Sequence, residues 1–140
     1  MMVETTAGGL AFLAGRLAFG LVLAFMGLNH TQNLDDMRGY AAAQGVPLPG
    51  AAVIGSGLVL VGGGLSIAFG VLPLLGAVAL VLFFLGVTPV MHDFWTVEAP
   101  AQRQAELTHF LKNATLLGAA LVFVALSGTA WPYAVYAGLP

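Results

Sequence analysis

Four long apolar segments alternate with polar connections along the 140-residue chain. They cover residues 10–28, 51–69, 74–91 and 108–127. About 20 apolar residues in a helix, at a rise of about 1.5 Å per residue, cross the hydrocarbon core of a bilayer. The pattern therefore predicts an all-α membrane protein, with residues 1–140 forming a single transmembrane domain of four spanning helices.

The connections predict how these helices are arranged. Residues 29–50 and 92–107 are long and polar, whereas residues 70–73 are so few that spans two and three should be antiparallel neighbours. We expect an up-down-up-down bundle with both long connections at one end. Residues 34–44 are typical of a short interfacial helix. The few basic residues favour a cytoplasmic position for the long connections.

The amino-acid composition indicates what surrounds the protein and excludes several functions. Hydrophobic residues make up 59% of the chain and charged residues 7%, against about 25% charged in soluble domains. We therefore expect a multi-pass protein in a lipid bilayer, the cell membrane if the protein is prokaryotic. Four basic residues are too few to bind nucleic acid. The absence of cysteine excludes thiolate nucleophiles, iron–sulfur clusters and Cys-ligated zinc.

The longest polar interruption, residues 88–113, is the first candidate for chemistry. The residues at its two ends are candidates to line a pocket. The predicted topology places His30, at the end of the first span, at the same membrane face. The full set of pocket candidates is His92, Asp93, His109, Lys112, Asn113 and His30. His109, Lys112 and Asn113 share one helical face, and Lys112 is placed to pair with Asp93 or to snorkel to the surface. One interpretation is a polar pocket for an anionic or quinone-like group. The alternative is a set of interfacial residues that satisfy helix ends and each other.

The sequence argues against a bound metal or haem and against any covalently bound cofactor. No two of the three histidines have the i, i+4 spacing of a helical metal site, and no CxxCH is present. We find no self-sufficient catalytic motif. The chain would be at most a subunit of a membrane oxidoreductase.

Two further features concern contacts between helices. Arg16 lies inside the first span, where a charge is costly, which indicates either contact with a partner or an anion, or snorkelling toward the interface beside Glu4. Small residues of the second span form a predicted packing stripe: Gly55, Gly62, Gly63, Ser66 and Gly70. Trp131, Tyr133 and Tyr136 are typical of an interfacial aromatic belt.

The chain resembles the DoxX family of small four-helix membrane proteins. The resemblance is carried by Arg16 with 17–20 (LAFG), Tyr40 with 45–50 (GVPLPG), 62–65 (GGGL) with Gly70, 92–95 (HDFW), and 109–113 (HFLKN) with Gly118. Many members have an acidic residue where this chain has Val59 and Leu60, so an ion pair between that position and Arg16 is not available.

The resemblance implies a role in membrane redox complexes, since the family is named for a subunit of an archaeal thiosulfate:quinone oxidoreductase. The first functional hypothesis is an accessory or quinone-interacting subunit, with another membrane subunit or a second copy of the chain as partner. The second is a non-catalytic assembly factor that packs against other membrane proteins. The third is a small transporter that acts as a dimer.

Overall fold

The computed structural model describes residues 5–135, which contain helices and no strand. The helices are α1 (Thr6–Gln32), α2 (Leu34–Ala43), α3 (Pro49–Phe69), α4 (Pro73–Met91) and α5 (Pro100–Leu126), with a 3-10 turn at Phe94–Thr96. The four helices other than α2 are long and apolar enough to cross a membrane. The predicted all-α membrane class and the short helix α2 are confirmed.

The ends of the helices follow from local chemistry. The Thr5 hydroxyl accepts a hydrogen bond from the Gly8 amide at 3.0 Å and caps α1. Three helices begin with a proline, which has no amide hydrogen to leave unpaired and has φ preset for a helix: Pro49, Pro73 and Pro100. Gly70 ends α3 at φ +71°, a conformation that glycine adopts without a Cβ clash.

Two boundaries differ from the sequence prediction. Helix α5 begins at Pro100 rather than near residue 108, so half of the predicted polar connection 92–107 is helical. Residues 101–107 are mostly Ala, Gln, Arg, Glu and Leu, which favour helix even where the segment is polar. Helix α1 also extends to Gln32, which places His30 in its last turn. Hydropathy marks the part of a helix that lipid surrounds, and both helices extend beyond that part.

Helix α3 lies at the centre of the packing. Close contacts join Gly20 of α1 to Gly64, and Gly27 of α1 to Gly57. Because residue numbers rise along α1 as they fall along α3, the two helices are antiparallel. On another side, Gly63 lies against Leu80 of α4 and Ser66 against Gly76, so α3 and α4 are antiparallel as well. The complete up-down-up-down order stays a prediction.

The predicted packing stripe describes packing within the chain only in part, since Gly63, Ser66 and Gly70 lie against neighbouring segments and Gly55 and Gly62 do not. A Cβ atom on Gly55 or Gly62 would meet nothing within 4 Å, whereas Gly63 and Gly70 do make close contacts. The helix contacts of α3 also fall on Gly57 and Gly64, which we did not predict. The stripe was projected from α3 alone, but α3 has neighbours on two sides, so its small residues serve two different interfaces.

Residues 127–135, which we call the C-terminal strap, fold back over the end of the bundle opposite α2. The Val135 amide donates to the Phe69 carbonyl at 2.8 Å. Trp131 is 6% exposed and belongs to the apolar core, so its predicted place in an interfacial belt is wrong. The indole N–H finds a buried acceptor, the Leu126 carbonyl at 2.9 Å, which removes the need for an interface. Tyr136 lies outside the described residues.

Candidate functional site

A cavity of about 850 Å³ lies at the end of the bundle that carries α2. All five helices contribute to its wall. Much of the wall is apolar: Met26, Leu60, Phe83, Phe84 and Val87. A volume of this size with apolar walls and a few polar groups is typical of a small-molecule binding site.

The structure brings five of the six predicted pocket residues to this cavity. They are His30 of α1, His92 after α4, and His109, Lys112 and Asn113 of α5. Asp93 is the exception. Its carboxylate accepts hydrogen bonds from Gln44 Nε2 at 3.2 Å and from the Thr96 hydroxyl at 2.9 Å, so it fixes the connection after α4 to helix α2.

Tyr40, Glu106 and His92 form a hydrogen-bonded chain at one side of the cavity. His92 Nδ1 lies 2.8 Å from Glu106 Oε2, and Tyr40 Oη lies 2.9 Å from Glu106 Oε1. Tyr40 Oη is also 2.9 Å from the Met91 carbonyl oxygen, so its proton is shared between two acceptors. Three elements, α2, the end of α4 and α5, are joined through one carboxylate.

The electrostatics of this chain keep Tyr40 a donor. Burial has the largest effect and raises the pKa of Tyr40. The hydrogen bond from Gln44 comes next and lowers it, and the hydrogen bond to Glu106 and the negative charges of Glu106 and Asp93 raise it again, so the net shift of the pKa is upward. Since the tyrosinate form is disfavoured, the phenol stays protonated at neutral pH. Glu106 therefore receives hydrogen bonds on both of its oxygens, one from the phenol and one from the imidazole.

We expect Tyr40→Phe to lower the free energy of unfolding by about 1 kcal/mol, because Glu106 and the Met91 carbonyl both lose a donor. Tyr133→Phe is the matched control, since no hydrogen bond to its hydroxyl is found among the described residues. The measurement is denaturant unfolding in detergent as a function of pH. The pKa of Tyr40 in the folded state lies above its ordinary value near 10. The difference in the free energy of unfolding between wild type and Tyr40→Phe should therefore be constant at neutral pH and should shrink as pH rises past 10. An equal loss in both variants would contradict the assignment.

The rings of His92 and His109 stack, with centroids 5.1 Å apart and planes inclined by 27°. Because Nδ1 of His92 is engaged by Glu106, its Nε2 remains for a ligand. Neither histidine has the other as a metal co-ligand, and no group of three or more His, Asp or Glu placed to hold a metal is found in residues 5–135. The stack instead offers a flat polar surface.

His30 lies on a different wall of the cavity, beside α3. Its Nδ1 is 3.0 Å from Ser56 Oγ, which itself donates to the Val53 carbonyl at 2.8 Å. Since the one hydroxyl proton of Ser56 is donated to Val53, His30 Nδ1 must donate to Ser56 Oγ, and neutral His30 keeps Nε2 as an acceptor. Polar groups thus occur on the α1–α3 side and on the α4–α5 side.

Lys112 and Asn113 have no hydrogen-bond or ion-pair partner among the described residues. Of the two alternatives predicted for Lys112, the pair with Asp93 is not found in residues 5–135, where Gln44 and Thr96 bond that carboxylate, and Lys112 is exposed, as snorkelling to the surface requires. Asn113 is only 6% exposed. A buried amide and an ammonium group at a cavity, both without partners, are donors available to a ligand.

Sequence reasoning missed Tyr40, Gln44 and Ser56 as members of the site, and took Glu106 for a solvated linker residue. Tyr40 and Glu106 are separated by 66 positions, so only the fold brings them together. One signal was present for Glu106. It lies three residues before His109, which places both on one face once α5 is known to begin at Pro100.

Arg16 lies far from this cavity, near the C-terminal strap. Its side chain is fully buried, and Nη2 donates to the Tyr133 carbonyl at 2.7 Å. Snorkelling to the interface is therefore wrong, since the guanidinium is covered by protein. Glu4, its possible acidic neighbour, lies outside the described residues. Contact with a partner or an anion stays a prediction.

A sequence model of the family described as DoxX matches residues 11–93, more than half of the chain. This range contains α1 to α4 up to the His92–Asp93 pair. No curated protein and no solved structure matches the chain.

Proposed function

The chain belongs to the DoxX family of membrane proteins, and on that premise we propose that it binds a membrane quinone in the cavity beside α2. The single observation that carries the proposal is the pairing of a mainly apolar cavity with unpartnered donors, Lys112 and Asn113, at its wall. A ligand that matches must be apolar over most of its surface and must carry hydrogen-bond acceptors. A quinone has both, a flat ring with carbonyl oxygens and an apolar tail.

The polar groups of the cavity suit the two carbonyl oxygens of such a ring. Lys112 and Asn113 are candidates to donate on the α4–α5 side, whereas Nε2 of neutral His92 is an acceptor, because its Nδ1–H donates to Glu106. Across the cavity, His30 and Ser56 offer polar contact on the α1–α3 side. Flat rings pack well on one another, and the His92–His109 stack and Phe83–Phe84 supply such surfaces.

In this proposal the chain is an accessory subunit of a membrane oxidoreductase. The sequence has no cysteine for an iron–sulfur cluster, so a redox centre in a partner subunit is the electron source. A quinone that accepts two electrons from that centre takes up two protons to become the quinol. Glu106, held by Tyr40, accepts the Nδ1–H of His92 and would stabilise an imidazolium form of His92, whose second proton, on Nε2, is placed to supply one of them.

The test is binding of a short-tailed benzoquinone to the purified protein in phosphatidylcholine nanodiscs, measured by calorimetry. We expect Lys112→Ala and Asn113→Leu each to weaken binding about tenfold, the effect of losing one hydrogen bond of about 1.4 kcal/mol. Arg38→Ala is the matched control. It removes an exposed cation that does not line the cavity.

Quinone binding that is unaffected by Lys112→Ala and Asn113→Leu would contradict this site. Complete absence of binding in the wild type would reject the quinone itself. The alternatives of an assembly factor and a dimeric transporter stay predictions. Neither explains why unpartnered donors line an apolar cavity.

A further inference from the structure

Arg16 is a buried cation at the end of the bundle opposite the cavity. It lies ten residues into α1, and none of its side chain is exposed. The centre of its guanidinium is 5.6 Å from the centroid of the Phe12 ring and 5.7 Å from that of Trp131. Aromatic faces stabilise a cation but accept no strong hydrogen bond in the guanidinium plane.

The hydrogen bonds of this guanidinium are incomplete. An arginine has five N–H groups and stays charged in proteins. Only Nη2 has an acceptor, the Tyr133 carbonyl at 2.7 Å, whereas Nε and Nη1 are buried without a partner among the described residues. The acidic residues of the described chain are Asp35, Asp36, Asp93, Glu98 and Glu106, all at the opposite end of the bundle. A buried charge without a counter-charge is strongly unfavourable.

The cover over Arg16 is the C-terminal strap rather than a transmembrane helix. Pro132 and Tyr133 lie over Gly9, and Ala134 lies over Gly70. Tyr133, whose carbonyl is the one acceptor for Arg16 found in residues 5–135, has φ +57°, which is unfavourable for a residue with a side chain. A neutral carbonyl is also a weaker acceptor for a guanidinium than an anion. The strap thus covers a cation that an anion would pair with better.

We propose that Arg16 is a binding site for a small monovalent anion, a carboxylate or a halide from the aqueous phase, that enters when residues 132–135 of the strap lift while Trp131 stays in the core. The anion replaces the Tyr133 carbonyl as an acceptor. It also accepts hydrogen bonds from guanidinium N–H groups that have no partner in the closed form. Because Arg16 is fully covered in the closed form, binding and lifting of the strap are one event. This site is separate from the cavity, and its existence does not depend on quinone binding.

Trp131 provides a direct readout, because it lies on Arg16 and the chain has only one other tryptophan. The experiment uses the full chain with Trp95→Phe, in phosphatidylcholine nanodiscs, with bromide replacing sulfate, a divalent anion, at constant ionic strength. Bound bromide quenches an adjacent indole. We expect saturable quenching of Trp131 with half-saturation in the millimolar range, and only slight, linear quenching by acrylamide, a neutral quencher.

Three variants in the same background sharpen the result. Arg16→Gln should weaken the bromide effect at least tenfold, whereas Arg38→Gln, which removes an equal charge at the other end, should leave it unchanged. Glu4→Gln should also leave it unchanged if the anion comes from solution. Linear bromide quenching equal to that of acrylamide in the Trp95→Phe protein would overturn the proposal, even if Arg16→Gln does not fold. Bromide quenching of Trp131 that saturates only in the Glu4→Gln variant would overturn the proposal too, because it would show that the Glu4 carboxylate is the anion at Arg16.

Discussion

Gly64→Ala should destabilise the protein by about 2 kcal/mol or more, whereas Gly62→Ala, two residues away on the same helix, should be tolerated. A Cβ on Gly64 would lie 2.8 Å from the amide nitrogen of Ala24 and would also overlap the Gly20 carbonyl oxygen. These are backbone atoms of α1, so no side chain can move aside, and the two helices must separate. A Cβ on Gly62 meets nothing within 4 Å.

The contrast is a strict one, because both substitutions add a single methyl group to α3. Alanine also has the higher intrinsic helix propensity, by about 1 kcal/mol, so Gly62→Ala should be neutral or slightly stabilising. The measurement is the free energy of unfolding in mixed detergent micelles. Gly27→Ala, whose Cβ would lie 2.6 Å from the Gly57 carbonyl oxygen, should resemble Gly64→Ala. Equal stability of the Gly62 and Gly64 variants would refute the α1–α3 interface described above.

The two tryptophans should contribute very differently to stability. We expect Trp131→Ala to lower the free energy of unfolding by about 3 kcal/mol and Trp95→Ala to lower it by less than about 1 kcal/mol. Trp131 is 6% exposed and packs edge-on against Phe12, with ring centroids 5.0 Å apart, and against Phe123 at 5.8 Å. Its removal would leave a void between the strap and α1 and would remove one of the hydrogen bonds to the Leu126 carbonyl, which also accepts from Thr129. Trp95 is 56% exposed and contacts Phe94 and Phe110.

Thermal unfolding in detergent tests this second contrast. Lipid and detergent tails are themselves apolar, so the expected loss comes mainly from packing and the hydrogen bond rather than from transfer out of water. Trp131→Phe, which keeps a ring but removes the N–H donor, should fall between the wild type and Trp131→Ala. A Trp131→Ala protein as stable as Trp95→Ala would mean that the strap does not contribute to the fold.

How far the sequence predicts the site can be seen residue by residue. His92 and His109 were expected at one membrane face from the topology, and the structure places both at one cavity with stacked rings. Glu106, the partner of His92, was missed, because hydropathy put residues 92–107 outside the helices. Tyr40 was missed as a member of the site, because the contact of α2 with α4 and α5 has no local pattern in the sequence.

The sequence by itself determined the number of spanning helices, the bilayer as surroundings and the end of the bundle where the polar residues gather. These follow from hydropathy and chain length, which act locally and sum along each segment. Only the tertiary structure decided which glycines pack, that Asp93 pairs with Gln44 rather than with Lys112, and that the strap covers Arg16. Each of these depends on which face of a helix meets which neighbour, and in lipid the choice rests on close packing and hydrogen bonds between residues far apart in the chain.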